Sequence, residues 1–258
     1  YVGGTLVSSN SDGGYWTTDA QGKLTESTAN DNWNVKYEPS TATLTLSGAT
    51  IQGGTSTGTV PYGAGIYAQC SNGQSVTLTI KLIGENTITG YYGIYVNAEI
   101  SENSNGTDAS LTITGENNVS LEVSGSFYGI FVKSGTGNAS VTIEHASVDA
   151  KTTQTNSGYA GVCVQSSAKA TNSPQLSLAV NGGSLTTSGS ASGDGIQFVV
   201  GSYQATDATT NLTVTDNAIV DARNGGISAD GFSVNPNVDI GSTGGIVFNG
   251  NTGTVYGD

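Results

Sequence analysis

Six times in this chain a glycine is followed by a β-branched residue that opens a short apolar segment: Gly65-Ile66, Gly93-Ile94, Gly129-Ile130, Gly161-Val162, Gly195-Ile196 and Gly226-Ile227. The glycines are 28, 36, 32, 34 and 31 residues apart. A recurrence of this kind means stacked copies of one supersecondary unit, and it decides the fold class before any residue is considered alone. After its glycine segment, each copy carries two more apolar segments. In the second copy these read GIYV, SLTI and NVSLEV; in the third, GIFV, SVTI and SVDA. Each alternates apolar and small polar residues, the period of a strand with one buried face.

Helical periodicity is absent. There is no methionine, and Gly, Ser, Thr and Asn dominate, so helix propensity is poor throughout. Three strands per copy and a period near thirty predict an all-β fold: a right-handed parallel β-helix, a solenoid with three strands per coil. The competing propeller has four strands per blade and a period of about forty residues. Ile66, Ile94, Ile130, Val162, Ile196 and Ile227 are expected to point inward, with Val96, Val132, Val164 and Phe198 two residues later. Leu78 and Ile80, Leu111 and Ile113, Val141 and Ile143, Leu176 and Leu178, and Leu212 and Val214 form two more inward columns. Threonines and serines such as Thr79, Thr112, Thr142 and Ser177 face out between them, where they keep β propensity. Asn86, Asn117, Gly183 and Asn217 are placed at the corner before the third strand, where a positive φ is tolerated.

Residues 1–33 read as an N-terminal β cap, and residues 34–258 as a single β-helix of about six to eight coils. Trp16 and Trp33 are expected to plug the end of the core, because a solenoid end exposes apolar surface and open strand edges. The text from Trp33 to Ile51, WNVKYEPSTATLTLSGATI, reads as a hairpin leading into the first coil. Cys70 and Cys163 lie three coils apart, about 14 Å along the axis, so two free thiols are expected.

Twenty acids against seven Lys or Arg give a net charge of −13. This argues against nucleic acid and against an anionic membrane surface as partner, and no run of sequence is apolar enough for membrane insertion. The composition points to a bacterial secreted or cell-surface protein, and the first residue, a tyrosine, to a fragment of a larger anchored one.

The chain resembles the pectate-lyase-like superfamily of parallel β-helices. More narrowly, it is similar to surface proteins of gut and cellulolytic Firmicutes that carry a non-catalytic carbohydrate-binding or adhesin-like β-helix. The lead-in from Trp33 to Ile51 carries the likeness, with the pattern GIYAQ, LTIKLIGENTI, GIYV from Gly65 to Val96; it extends to about Phe248 and weakens after Gly195. The resemblance implies binding of cellulose or of acidic plant polysaccharide, in some members with calcium, or an adhesin role. No binding residue of the family maps onto a position here.

Catalysis is not expected. Lyases of this superfamily use a calcium site and a basic residue that abstracts a proton, and glycosidases use clustered carboxylates. This chain has one arginine, Arg223, and one histidine, His145. No cofactor is expected; calcium is the one ion for which candidate ligands align, in an outward column of Glu122, Asp149 and Asp221.

The aromatics mark the candidate site. Nine of the seventeen Tyr and Phe residues cluster at the starts of the glycine strands in the first four coils. Tyr67, Tyr95 and Phe131 take the same outward position in consecutive coils. Tyr62, Tyr91, Tyr92, Phe127, Tyr128 and Tyr159 precede the glycines. The expectation is an outward aromatic band that binds polysaccharide or host glycan. The alternatives are an adhesin-like or spacer β-helix with a protein partner, in which the rings only pack, and third a polysaccharide lyase or hydrolase.

Overall fold

Strands that alternate one apolar and one hydroxyl-bearing side chain bury a single face. Pairing each strand in parallel with its equivalent one repeat later closes that face into a continuous interior. A computed structural model describes residues 1–9, 11–54, 63–70, 73–99, 107–116, 118–155, 158–168, 172–190, 193–201, 208–230, 246–249 and 254–256. They form a parallel β-solenoid of about five turns. Asn117 and the segment NVDI at 237–240 lie outside the described residues.

The strands are β1 (Gly14–Thr18), β2 (Leu24–Ser27), β3 (Val35–Glu38), β4 (Thr43–Ser47), β5 (Thr50–Gln52), β6 (Ile66–Gln69), β7 (Val76–Ile83), β8 (Glu85–Asn97), β9 (Ala109–Gly115) and β10 (Ser120–Ser134). They continue with β11 (Ala139–Thr152), β12 (Val162–Ser166), β13 (Gln175–Ser188), β14 (Ile196–Val200), β15 (Thr209–Thr215), β16 (Ile219–Asn224), β17 (Ile227–Asp230), β18 (Ile246–Asn249) and β19 (Thr254–Tyr256). Parallel pairing sorts them into ladders. The glycine-led ladder runs β6, β8, β10, β12, β14, β17. A second runs β4, β7, β9, β11, β13, β15, β18. The third runs β5, β8, β10, β11, β13, β16, β19. Four strands belong to two ladders. β8 and β10 turn the glycine corner without a break, and β11 and β13 turn from the second ladder into the third.

The inward columns are buried: Ile94, Ile130, Val162, Ile196 and Ile227 expose none of their surface, nor do Leu111, Val141, Leu178 and Leu212. One coil needs correcting. Val141 pairs with Leu178 and Ile143 with Val180, so its inward pair is Leu178 and Val180, and Leu176 stands beside Ala139, two residues from its expected place. A slip of two leaves every side chain on the same face, so alternation alone cannot detect it.

The corners behave partly as expected. Gly183 and Asn217 have positive φ, as do Asn118 and His145 at the same turn of neighbouring coils. Asn86 does not. It pairs with Leu121 on the strand itself, is 3% exposed, and spends its amide on the corner backbone. Its Oδ1 accepts from Ala49 N–H (2.9 Å), and its Nδ2 donates to the carbonyls of Ile83 and Gly84. A buried polar group at a core position is tolerated because it is fully hydrogen-bonded.

At the N-terminal end the first rung of each ladder has its outer edge occupied. β3 pairs antiparallel with β4 across the turn at Pro39–Thr41 and also with β1. Tyr1 O accepts from Tyr67 N–H, and Gly3 N–H donates to Gly65 O. Thr50 N–H donates to Thr18 Oγ1. Trp16 is buried in the core cluster with Leu24, Val35 and Leu44. Trp33 is only half-buried and packs on Tyr15, edge to face at 5.6 Å.

The repeating glycine is a packing requirement. A Cβ on Gly93 would stand 2.6 Å from Gly129 O, and one on Gly129 would stand 2.7 Å from Gly161 O. Gly161 O also accepts an inter-coil hydrogen bond from Ile130 N–H at 2.9 Å; one coil on, Gly195 O accepts from Val162 N–H at 3.0 Å and would stand 3.1 Å from a Cβ on Gly161. Gly129→Ala should therefore destabilise the protein by about 1–3 kcal/mol through overpacking. Urea denaturation checks this, and an unchanged midpoint would mean the coils can separate at that corner without loss.

Candidate functional site

The outward position of the glycine-led ladder is occupied in successive coils by Tyr67, Tyr95, Phe131, Cys163, Gln197 and Ser228, in register. Facing away from the solenoid interior does not expose them. Tyr67 is 3% exposed, Tyr95 5%, Phe131 6% and Cys163 not at all. With Ala64 and Ala160 they make a second, smaller core outside the main one. The covering comes from the unbroken strands at the glycine corner. Tyr92 and Tyr128 sit just before the corner and lie back over the column, Tyr92 stacking on Tyr95 at 4.8 Å and Tyr128 on Phe131 at 4.7 Å. Tyr95 and Phe131 stack between coils at 4.9 Å, and Tyr1 covers Tyr67 from the N-terminal side at 6.4 Å. These three outward rings are therefore the base of the band, with no open face of their own.

Polar ends are satisfied inside it. Tyr67 Oη donates to Gln69 Oε1 at 2.6 Å. Burial pushes the Tyr128 phenol far above its ordinary range, reinforced by the Cys163 thiol with which it hydrogen-bonds. Cys163 and Cys70 are both unbridged.

The open part of the band is a ridge along the corner. Tyr91 is 44% exposed, and Phe127 and Tyr159 are half-buried. The ridge owes its shape to a bulge: Gly125 pairs with Gly90 and Tyr128 with Tyr92, so β10 carries one residue more than β8 here. A bulge re-aims side chains while the ladder resumes beyond it, and it brings Phe127 beside Tyr91. Their rings are 24° from parallel with centroids 5.8 Å apart. Carbon contact occurs at about 3.5–4 Å, so the two rings are staggered rather than stacked face on face. Phe127 also stacks on Tyr92 at 5.7 Å, and Tyr91 is the ring of the ridge with most surface open to solvent. Tyr159, one coil on, stands edge to face against Phe127 at 4.7 Å and Tyr128 at 5.5 Å. Tyr62 lies outside the described residues.

The carboxylate column does not assemble into a metal site. Glu122 and Asp149 are in register on adjacent coils, and Thr186 separates Asp149 from Asp221. Glu122 is ion-paired with Lys151, whose pKa is raised by that hydrogen bond and by the charges of Glu122 and Asp149. Asp221 accepts from Arg223 Nε at 2.9 Å and Nη2 at 2.5 Å, which holds its carboxyl below the usual range. Among the described residues no three His, Cys, Asp or Glu side chains are grouped to hold a metal ion. His145 is exposed at its corner.

A cavity of about 550 Å³ lies at the N-terminal end, where Val2, Val7 and Tyr37 meet Leu44, Ile66 and Leu78 of the first coil. A shallower groove of about 350 Å³ follows the third ladder past Ser120, Ser147 and Ser184. No described helix is long and apolar enough to cross a membrane. No family model matches the chain, and neither a curated protein nor a solved structure is significantly similar to it.

Two outcomes follow from the division into base and ridge. Tyr95→Ala removes a buried ring and should cost about 3–5 kcal/mol, whereas Tyr91→Ala should cost about 1 kcal/mol or less; thermal melts compare the two, and equal losses would refute the division. The Tyr128 phenol is neutral in the fold and its folded pKa is raised, so its contribution is complete below the unfolded value of 10.0 and declines as pH rises beyond it. Stability measured from pH 8 to 12 should fall above about pH 10, and Tyr128→Phe should flatten that fall; an identical fall in the variant would contradict the assignment.

Proposed function

We propose that this chain is a non-catalytic carbohydrate-binding β-helix of a bacterial secreted or cell-surface protein, and that it holds polysaccharide or host glycan on the ridge of Tyr91, Phe127 and Tyr159. One observation carries the reading: Tyr91 is 44% exposed and staggered against Phe127 on a packed aromatic base. Solvent-facing aromatic surface backed by a rigid base is the form of an interaction site. The exposed ring surface of Tyr91, flanked by Phe127 and Tyr159, suits the C–H face of a sugar, while Tyr92 and Tyr128 serve as support. In this reading the coils are right-handed with three strands each, residues 1–33 act as a cap, and the likeness to carbohydrate-binding members of the pectate-lyase-like superfamily reflects kinship.

A non-catalytic role is supported by the disposition of the groups that a lyase or a glycosidase would call on. Arg223 is bound to Asp221, His145 stands at an exposed corner, and of the adjacent carboxylates Glu122 and Asp149 the first is ion-paired with Lys151. A second reading, an adhesin-like or spacer module with a protein partner, is favoured by the burial of Tyr67, Tyr95 and Phe131, which fits rings that only pack.

A glycan-array screen separates the two. Wild type should bind at least one glycan, and a Tyr91→Ala/Phe127→Ala variant with an unchanged circular dichroism spectrum should lose it. A blank array for wild type favours the spacer, and a hit retained by the variant moves the site elsewhere.

A further inference from the structure

We infer that the glycan held on this ridge is an uncharged chain lying along the solenoid axis; the inference rests on the reading above and narrows it. Tyr91, Phe127 and Tyr159 come from three consecutive coils. Successive coils are about 4.8 Å apart, so the rings form a track about 10 Å long parallel to the axis. A sugar chain aligned with that track passes all three rings, with Tyr91 as the most exposed, and one laid across it passes one.

Charge sets the class. An anionic glycan needs cations opposite its carboxylates or sulfates, or a divalent ion to bridge them. Lys151, on the third ladder just before the corner, is ion-paired with Glu122 and faces Asp149 as well. Lys133, at the end of the strand that carries Phe127, is ion-paired with Glu99. Lys81 and Arg223 are likewise engaged, by Glu116 and Asp221. The described residues group no three ligands for a bridging metal, and the net charge of −13 repels a polyanion. What the ridge offers is exposed aromatic surface and hydroxyl. Thr89 and Ser124 are in register on the strand just before it and add hydroxyl groups beside the ridge. An uncharged polysaccharide needs nothing more, whereas an acidic one on this ridge would have to displace the ion pairs of Lys151 and Lys133.

Native affinity electrophoresis tests this with the full chain. Gels carry hydroxyethylcellulose, xyloglucan or galactomannan in one set, and polygalacturonate or chondroitin sulfate, with and without calcium, in the other. Wild type should be retarded in at least one uncharged gel and in no anionic gel. The Tyr91→Ala/Phe127→Ala variant should be about tenfold weaker or worse, and Tyr91→Ala alone should be intermediate. Retardation confined to anionic gels and lost in the variants would overturn the uncharged class while leaving the ridge as the site. Retardation in no gel, or retardation that the variants keep, would overturn the ridge itself and this inference with it.

Discussion

Everything in this molecule depends on how closely consecutive coils approach at the glycine corner. The carbonyl of one glycine receives the N–H that follows the glycine of the preceding coil, and the gap between them leaves no space for a Cβ. That contact fixes the phase of the glycine-led ladder. Once it is fixed, the hydrogen-bonded register places every inward apolar residue over its counterpart. The core grows by identical increments, and each coil is stabilised by its neighbours alone.

The same corner shapes the surface. Because β8 and β10 pass through it as unbroken strands, the aromatic residues just before the glycine are held against those just after it. Packing therefore occurs on the outside of a sheet that would otherwise face water, and a second core forms there. The residues at the outermost edge of this packing are the ones with ring surface to spare. Their rigidity comes from the rings beneath them, so a ligand contacting the ridge would lose little to ordering of side chains.

Much of this was legible in the sequence, for reasons that also explain what was not. The glycine period and the alternating segments gave the parallel solenoid and nearly all of its inward columns, since both are local and repeat. Placing Leu176 two residues off cost nothing in face, because alternation is blind to an even slip. Asn86 was misplaced at a corner because its composition matched one; only the pairing with Leu121 reveals a core position with an amide that serves the backbone. The alignment of Tyr67, Tyr95 and Phe131 was visible in the text. Their burial was not, because it depends on Tyr92 and Tyr128 folding back over them, and period-2 reasoning has no term for an outward residue covered by its own strand. In the column of Glu122, Asp149 and Asp221, the partner of Asp221 is Arg223, two residues along the chain, whereas the pairing of Glu122 with Lys151 of the next coil appears only once the coils are stacked.

The extra residue in β10 bears on how such a chain changes over generations. It enters between two ladder segments, and pairing on both sides resumes with every partner intact. Corners can thus lengthen or shorten by a residue without any adjustment in the interior, which agrees with glycine intervals that range from 28 to 36 residues. Variation in what the corner displays is thereby uncoupled from the conditions for folding. A lineage could exchange the rings along this edge, coil by coil, while inheriting the scaffold unchanged.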